Sequence, residues 1–172
     1  RLNQVEDRID VAIRVGTLLD SGLIARKVGA VRRVVCASPC YLKRQGAPEH
    51  PSDLIAYDCI TFENTISSGE WIFTVDKLEK SFPVHSRLVT STAEAAIDAA
   101  VAGLGLTRAI DYQVAALRRT GALDLVLDSF SPPPKPVHLL YQSGERLPMK
   151  TRAFLDYVAP RLKSALRAVA MA

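Results

Sequence analysis

Long apolar runs are missing from this 172-residue chain, and none approaches the ~20 residues that a membrane-crossing helix needs. Cysteine is scarce. Cys36, Cys40 and Cys59 are three, so they cannot all pair within one chain. That odd count excludes a disulfide scaffold and leads us to expect a reducing, cytoplasmic setting. Charge of one sign is not concentrated either. The formal net charge is +4, and Arg26, Lys27, Arg32, Arg33, Arg118, Arg119, Arg161, Lys163 and Arg167 are dispersed. A nucleic-acid groove needs a clustered basic stripe, so these read as solvated faces. Metal ligands at usable spacing are lacking, because His50, His85 and His138 have no Glu or Cys placed to complete a site. The Ser-x-x-Lys and Gly-x-Ser-x-Gly signatures of acyl transfer are absent. Gly103-Leu104-Gly105 lacks the third glycine of a dinucleotide fingerprint and follows a helix instead of opening one. We therefore expect no catalytic residues, no metal and no cofactor. Arg1 to Asp10 show no signal-peptide core, and Arg1-Leu2-Asn3 is not a natural start, so the chain reads as a piece of a longer protein.

What is present is a globular composition, 48% hydrophobic and 23% charged. Ile9, Val11, Ile13 and Val15 alternate with polar or small residues, the period of a strand that ends at Arg14-Val15-Gly16. Turns around Gly16 to Gly22 lead to strands over Leu23–Val28 and Val31–Ala37. Ser38 before Pro39 is a helix cap followed by proline at the first helical position, and that helix stops at Gly46. Ser52-Asp53-Leu54 makes one helical turn. Tyr57–Phe62 and Trp71–Val75 are strands around a Ser67-Ser68-Gly69 turn, and Phe82–Thr90 is a further strand.

The most informative stretch follows. Ser91 and Glu94 have capping-box spacing, and Ile97, Ala100, Val101 and Leu104 share one helical face. Gly103 or Gly105 can take the left-handed backbone that ends a helix. A second helix runs over Asp111–Arg119, then a strand carries Leu123, Leu125 and Leu127. Ser131 to Pro136 holds four prolines and reads as a connector. Val137–Tyr141 is the last strand. The terminal helix begins near Met149, and Pro160 should kink or break it. Strands alternating with helices in short units indicate α/β architecture with mainly parallel sheet.

Ile9 to Gly16, Leu23 to Gly29, Val34 to Leu42, Trp71-Ile72-Phe73, Ser91 to Leu106 and Leu147-Pro148 also resemble, in order, the effector-binding domain of LysR-type transcriptional regulators. The resemblance implies a two-lobe, type II periplasmic-binding-protein-like fold with two crossover connections. On that reading, 1–37 and 137–172 form one lobe and 38–136 the other. It further implies a first strand, a first helix and an N-terminal winged helix-turn-helix that this chain does not contain. The partners implied are a small-molecule effector, promoter DNA reached through that absent module, and further copies in a homodimer or homotetramer, with no membrane. Effector binding would shift the disposition of the lobes. A transport-associated solute-binding protein of the same fold is the alternative, and three unpaired cysteines count against it.

Ligands of open α/β sheets bind beyond the carboxyl ends of strands. Three such ends carry polar groups, so the candidate effector site is Arg14, Val15, Gly16, Ser38, Ser91, Thr92, Thr107 and Arg108. Helix starts at Ser38 and at Ser91-Thr92 favour an anion. Where many family members place an apolar pair and a proline after Gly-Leu-Gly, this chain has Thr107-Arg108-Ala109-Ile110. Arg14 and Arg108 read equally well as surface ion pairs, and Ser38 as a plain cap. Cys40 is the better redox candidate of the cysteines, being at a helix start, whereas Cys36 continues an apolar strand.

Overall fold

The computed structural model describes residues 9–18, 22–62, 69–142 and 147–170. The expected Ser67-Ser68 turn and the first eight residues lie outside that set. The elements begin with β1 (Val11–Val15), β2 (Leu23–Val31), β3 (Arg33–Ala37), α1 (Pro39–Gln45) and a 3-10 turn (Pro51–Ala56). Next come β4 (Asp58–Phe62), β5 (Glu70–Val75), β6 (Leu78–Pro83), β7 (His85–Thr90), α2 (Ala93–Val101) and β8 (Leu106–Ile110). The chain finishes with α3 (Asp111–Arg119), β9 (Asp124–Val126), a short 3-10 turn (Asp128–Phe130), β10 (Lys135–Gln142) and α4 (Met149–Ala170).

Two compact units result, Arg1–Val31 with Pro134–Ala172, and Arg32–Pro133, so the chain passes between them twice. In the first unit the sheet order is β1-β10-β2, and both pairings are antiparallel. Val137 and Leu139 of β10 are buried, and α4 packs on β2 with Leu155 and Ala159 buried. Gly29 allows the close approach, since a Cβ there would sit 2.7 Å from Leu166 Cδ1. The strand begins at Lys135 rather than after the prolines. Pro136 pairs with Ala30, and its carbonyl accepts the Gly16 N–H at 2.9 Å, so the ladder tolerates the proline at the strand's second position with one bond instead of two to Gly16. Pro160 does not break α4, which runs unbroken from Met149 to Ala170. Packing of the flanking Leu155 and Ala159 outweighs one lost backbone bond. Arg161 lies 3.6 Å over the Tyr157 ring and donates to the Tyr157 carbonyl at 2.9 Å, beside the turn that the proline weakens.

The second unit has a five-stranded sheet, β7-β4-β8-β3-β9. Here β4 runs parallel to β7 and β8, while β3 is antiparallel to β8 and β9. The expectation of mainly parallel sheet is therefore corrected in both units. So is the place of 33–37, expected in the first lobe: β3 is an interior strand of the second sheet. The single strand expected over Phe82–Thr90 is two, separated at Val84, whose N–H donates to Gly69 at 2.8 Å. β6 belongs to a hairpin with β5, turned by Asp76 and Lys77 at φ +54° and +65°, and β7 returns to the main sheet.

Alternation along the strands divides the core. One face gathers Val34, Cys36, Ile60, Ala96, Ile97, Ala100, Ala109, Val114 and Leu123 beneath α2 and α3. The other gathers Val35, Ala37, Tyr41, Leu54, Cys59, Trp71, Phe73 and Leu106 beneath α1, the first 3-10 turn and the hairpin. The small residues of α2 let it lie close on its sheet. Gly103, at φ +80°, ends that helix. Gly105 serves packing instead, because a Cβ there would meet the Asp58 carbonyl oxygen at 2.3 Å.

Candidate functional site

The carboxyl ends of the parallel strands β4 and β7 carry a row of hydroxyls. Thr61 and Thr90 stand there, and the Thr90 hydroxyl lies 3.3 Å from the Thr61 carbonyl and donates to the Thr92 carbonyl at 2.9 Å. α2 starts directly beyond. Its cap is Thr92, in extended backbone (φ −135°, ψ 155°), whose Oγ1 accepts the Ala95 N–H at 3.2 Å. The expected Ser91–Glu94 capping box does not form. Adjacent hydroxyls compete for one role, and Thr92 takes it, which places Ala95, with no carboxylate, at the third helical position. Ser91 and Thr92 are both exposed. The Ala93 and Glu94 N–H groups have no intrahelical acceptor, so this end retains donors and positive potential for an anion. Thr92→Ala should cost about 1 kcal/mol of stability and Ser91→Ala only about a few tenths, as read from urea unfolding midpoints.

Ser38 does not join this end. Cys36 pairs with Thr107 and Arg33 with Ile110, so the carboxyl end of antiparallel β3 lies beside the amino end of β8. Ser38 is buried there, accepting the Tyr41 N–H at 3.3 Å, and its Oγ is 3.5 Å from where a Gly103 Cβ would be. It therefore lies by the last turn of α2, the end away from Thr92. The same last turn gives its Gly103 carbonyl to Arg44 Nη2 at 3.1 Å, a cation at the negative pole of the helix. The two helix starts do not converge, because strand direction decides which sheet end each one occupies.

Thr107 and Arg108 are also separated, since successive strand residues point to opposite faces. Thr107 is fully buried and donates to the Ile60 carbonyl at 3.1 Å. Arg108 lies on the other face, with its guanidinium carbon 5.7 Å from the Trp71 ring centroid. Arg14 and Val15 are exposed in the first unit, and Gly16 is buried at φ +97° as the turn after β1. Of the eight expected site residues, only Ser91 and Thr92 occupy the α2 start.

Sequence reasoning missed the network at the amino end of β3. Asp111 accepts the Arg32 N–H at 3.2 Å and the Tyr112 N–H at 2.9 Å, and the Arg32 side chain pairs with Asp128. Burial pushes the Asp111 carboxyl above its ordinary pKa, opposed by those two N–H donors. An aspartate at the first position of a helix was the available signal.

His50 caps the first 3-10 turn, accepting the Ser52 N–H at 3.2 Å. Among the described residues, no three His, Cys, Asp or Glu side chains form a metal-holding group, and no helix is long and apolar enough to cross a membrane. The first unit carries a groove of about 330 Å³ lined by Asp10, Val11, Lys150, Thr151 and Phe154, with Lys150 and Asp10 paired at 2.7 Å.

Burial pushes the Cys36 and Cys59 thiols up to about 12, while Cys40 is exposed. Their folded values exceed the ordinary thiol value, so folding retains these protons. This contribution to stability is present below pH ~9 and is lost as pH rises towards 12. At pH 8, iodoacetamide should alkylate Cys40 alone, and all three cysteines only after unfolding, as counted by mass spectrometry.

Residues 1–163 match the family described as LysR substrate binding domain. A regulator of the helix-turn-helix type from Xanthomonas campestris pv. campestris is 30% identical over 166 residues, covering 94% of this chain and 48% of that protein. The Escherichia coli K12 transcriptional activator AaeR is 29% identical, covering 88% of this chain and 49% of its own length. The chain thus spans about half the length of the curated relatives it matches. Among solved structures, the regulatory domain of AphB from Vibrio vulnificus superposes with a TM-score of 0.80 at 29% identity, over 92% of this chain and 76% of that one. CrgA of Neisseria meningitidis, a LysR-type regulator, gives 0.78 at 28% identity, over 93% of this chain and 54% of its own. These likenesses favour a regulator over a transport protein, and the architecture is the type II periplasmic-binding-protein-like fold of such regulatory domains.

Proposed function

This chain belongs to the LysR substrate-binding domain family, and from that membership we propose that it is the effector-sensing part of a cytoplasmic, non-enzymatic transcriptional regulator. Promoter DNA would be bound by a module outside this chain, and the regulator would work as a homodimer or homotetramer. The observation that carries the reading is the family match over residues 1–163, together with relatives that are transcriptional regulators. The effector is a small metabolite bearing a carboxylate, with the anionic group at the start of α2.

What supports that placement is chemical. Thr92 accepts the Ala95 N–H through Oγ1, which leaves its hydroxyl hydrogen free to donate. The Ala93 and Glu94 amides point the same way out of the helix end. Hydrogen bonds to a charged acceptor are stronger than neutral ones. Calorimetry with a panel of aromatic and aliphatic acids tests it. At least one acid should bind, and Thr92→Ala should weaken that acid by about 1.5–3 kcal/mol, more than the cap alone contributes. Equal affinity in the variant would place the anion elsewhere.

A further inference from the structure

Arg108 is a charged residue in an interior strand, only 8% exposed. Its Nη1 is buried and has no hydrogen-bond partner among the described residues. No carboxylate among them forms an ion pair with it. Burial first, then the nearby Arg33 cation, lower its pKa to about 10, so the guanidinium stays charged at neutral pH. Trp71, 4% exposed, presents its ring to the guanidinium, which offers attraction but no acceptor. Buried charges are ordinarily paired, because desolvation is costly. Arg33, the charge that shifts it, has the same sign, and among the described residues no anion offsets it.

We infer that Arg108 is the docking group for a small carboxylate-bearing ligand, held at the edge of its guanidinium on the sheet face opposite α2. The planar fork of arginine matches a carboxylate through two parallel N–H bonds, and the Trp71 ring keeps the fork from turning. Nη1 is covered, so the acid is compact and enters as the side chains over it part. This site is independent of the α2 start. Thr107 and Ala109 face α2, whereas Leu106 and Arg108 face the hairpin side, so failure of one site leaves the other standing.

The test uses acetate and benzoate as probes, against chloride at equal ionic strength, on the wild-type protein and on Arg108→Leu and Arg108→Lys. Calorimetry should show one of the acids binding wild type, at least tenfold more weakly to Arg108→Leu, with Arg108→Lys intermediate because it keeps the charge but not the fork. In acid-free buffer, Arg108→Leu should melt above wild type, since an uncompensated buried cation has been removed. The inference is overturned if neither acid binds, as when a buried water alone serves Nη1. It is equally overturned if Arg108→Leu retains the binding, or if a folded Arg108→Leu melts below wild type. Should Arg108→Leu not fold, Arg108→Lys decides: unchanged affinity for the acid contradicts the inference.

Discussion

Gly105→Ala should be among the most damaging single changes in this protein, costing about 3 kcal/mol of stability. The added methyl would lie 2.3 Å from the Asp58 carbonyl oxygen and 3.0 Å from its carbonyl carbon. Those are backbone atoms at the start of β4, which is hydrogen-bonded between β7 and β8. No rotamer change relieves such a clash, so β8 and β4 would have to separate where they now pair, Cys59 opposite Leu106. Gly29→Ala provides the control. Its new methyl would meet Leu166 Cδ1 at 2.7 Å, the flexible end of a side chain on α4, and about 1 kcal/mol is expected. Urea midpoints of the two variants should keep that order.

Phe73→Ala comes next, with an expected loss of about 3–5 kcal/mol. Phe73 is 2% exposed and meets Phe82 edge to face, with ring centroids 5.9 Å apart. Among the described residues the β5–β6 hairpin forms its own two-stranded sheet and shares no ladder with the five-stranded one. A two-stranded hairpin is marginal alone, so Phe73 and Trp71 hold it down through packing. Truncation opens a cavity beneath β5 on the face that bears Arg108. Thermal melts should show the loss, and proteolysis should cut first within the hairpin.

Local signals were readable in this chain and non-local ones were not. Asp111 to Arg119 could be delimited from its own residues, because the apolar spacing of Val114 and Leu117 and the glycine after the helix are local. The same holds for the Ser38-Pro39 start of α1. Strand direction is not local. Nothing within Arg33–Ala37 tells that it runs against β8, yet that direction sends Ser38 to the far end of the sheet from Thr92. The cap of α2 was displaced by one residue because Ser91 and Thr92 carry the same functional group, and only the backbone at Thr92 decides between them. Thr107 and Arg108 looked like a pair because they are adjacent. Strand alternation, which places Leu106 and Ala109 in different cores, parts them. The family was legible for another reason: several short motifs in fixed order over most of the chain are specific even when each is weak.

The most direct test of the effector reading is a titration of the 15N-labelled protein with the tightest-binding acid, followed through its amide resonances. The account predicts the largest proton shifts at Ala93 and Glu94, downfield as each N–H donates to the carboxylate, and their loss in Thr92→Ala. Shifts that leave Ala93 and Glu94 unmoved while the acid saturates the protein would contradict it.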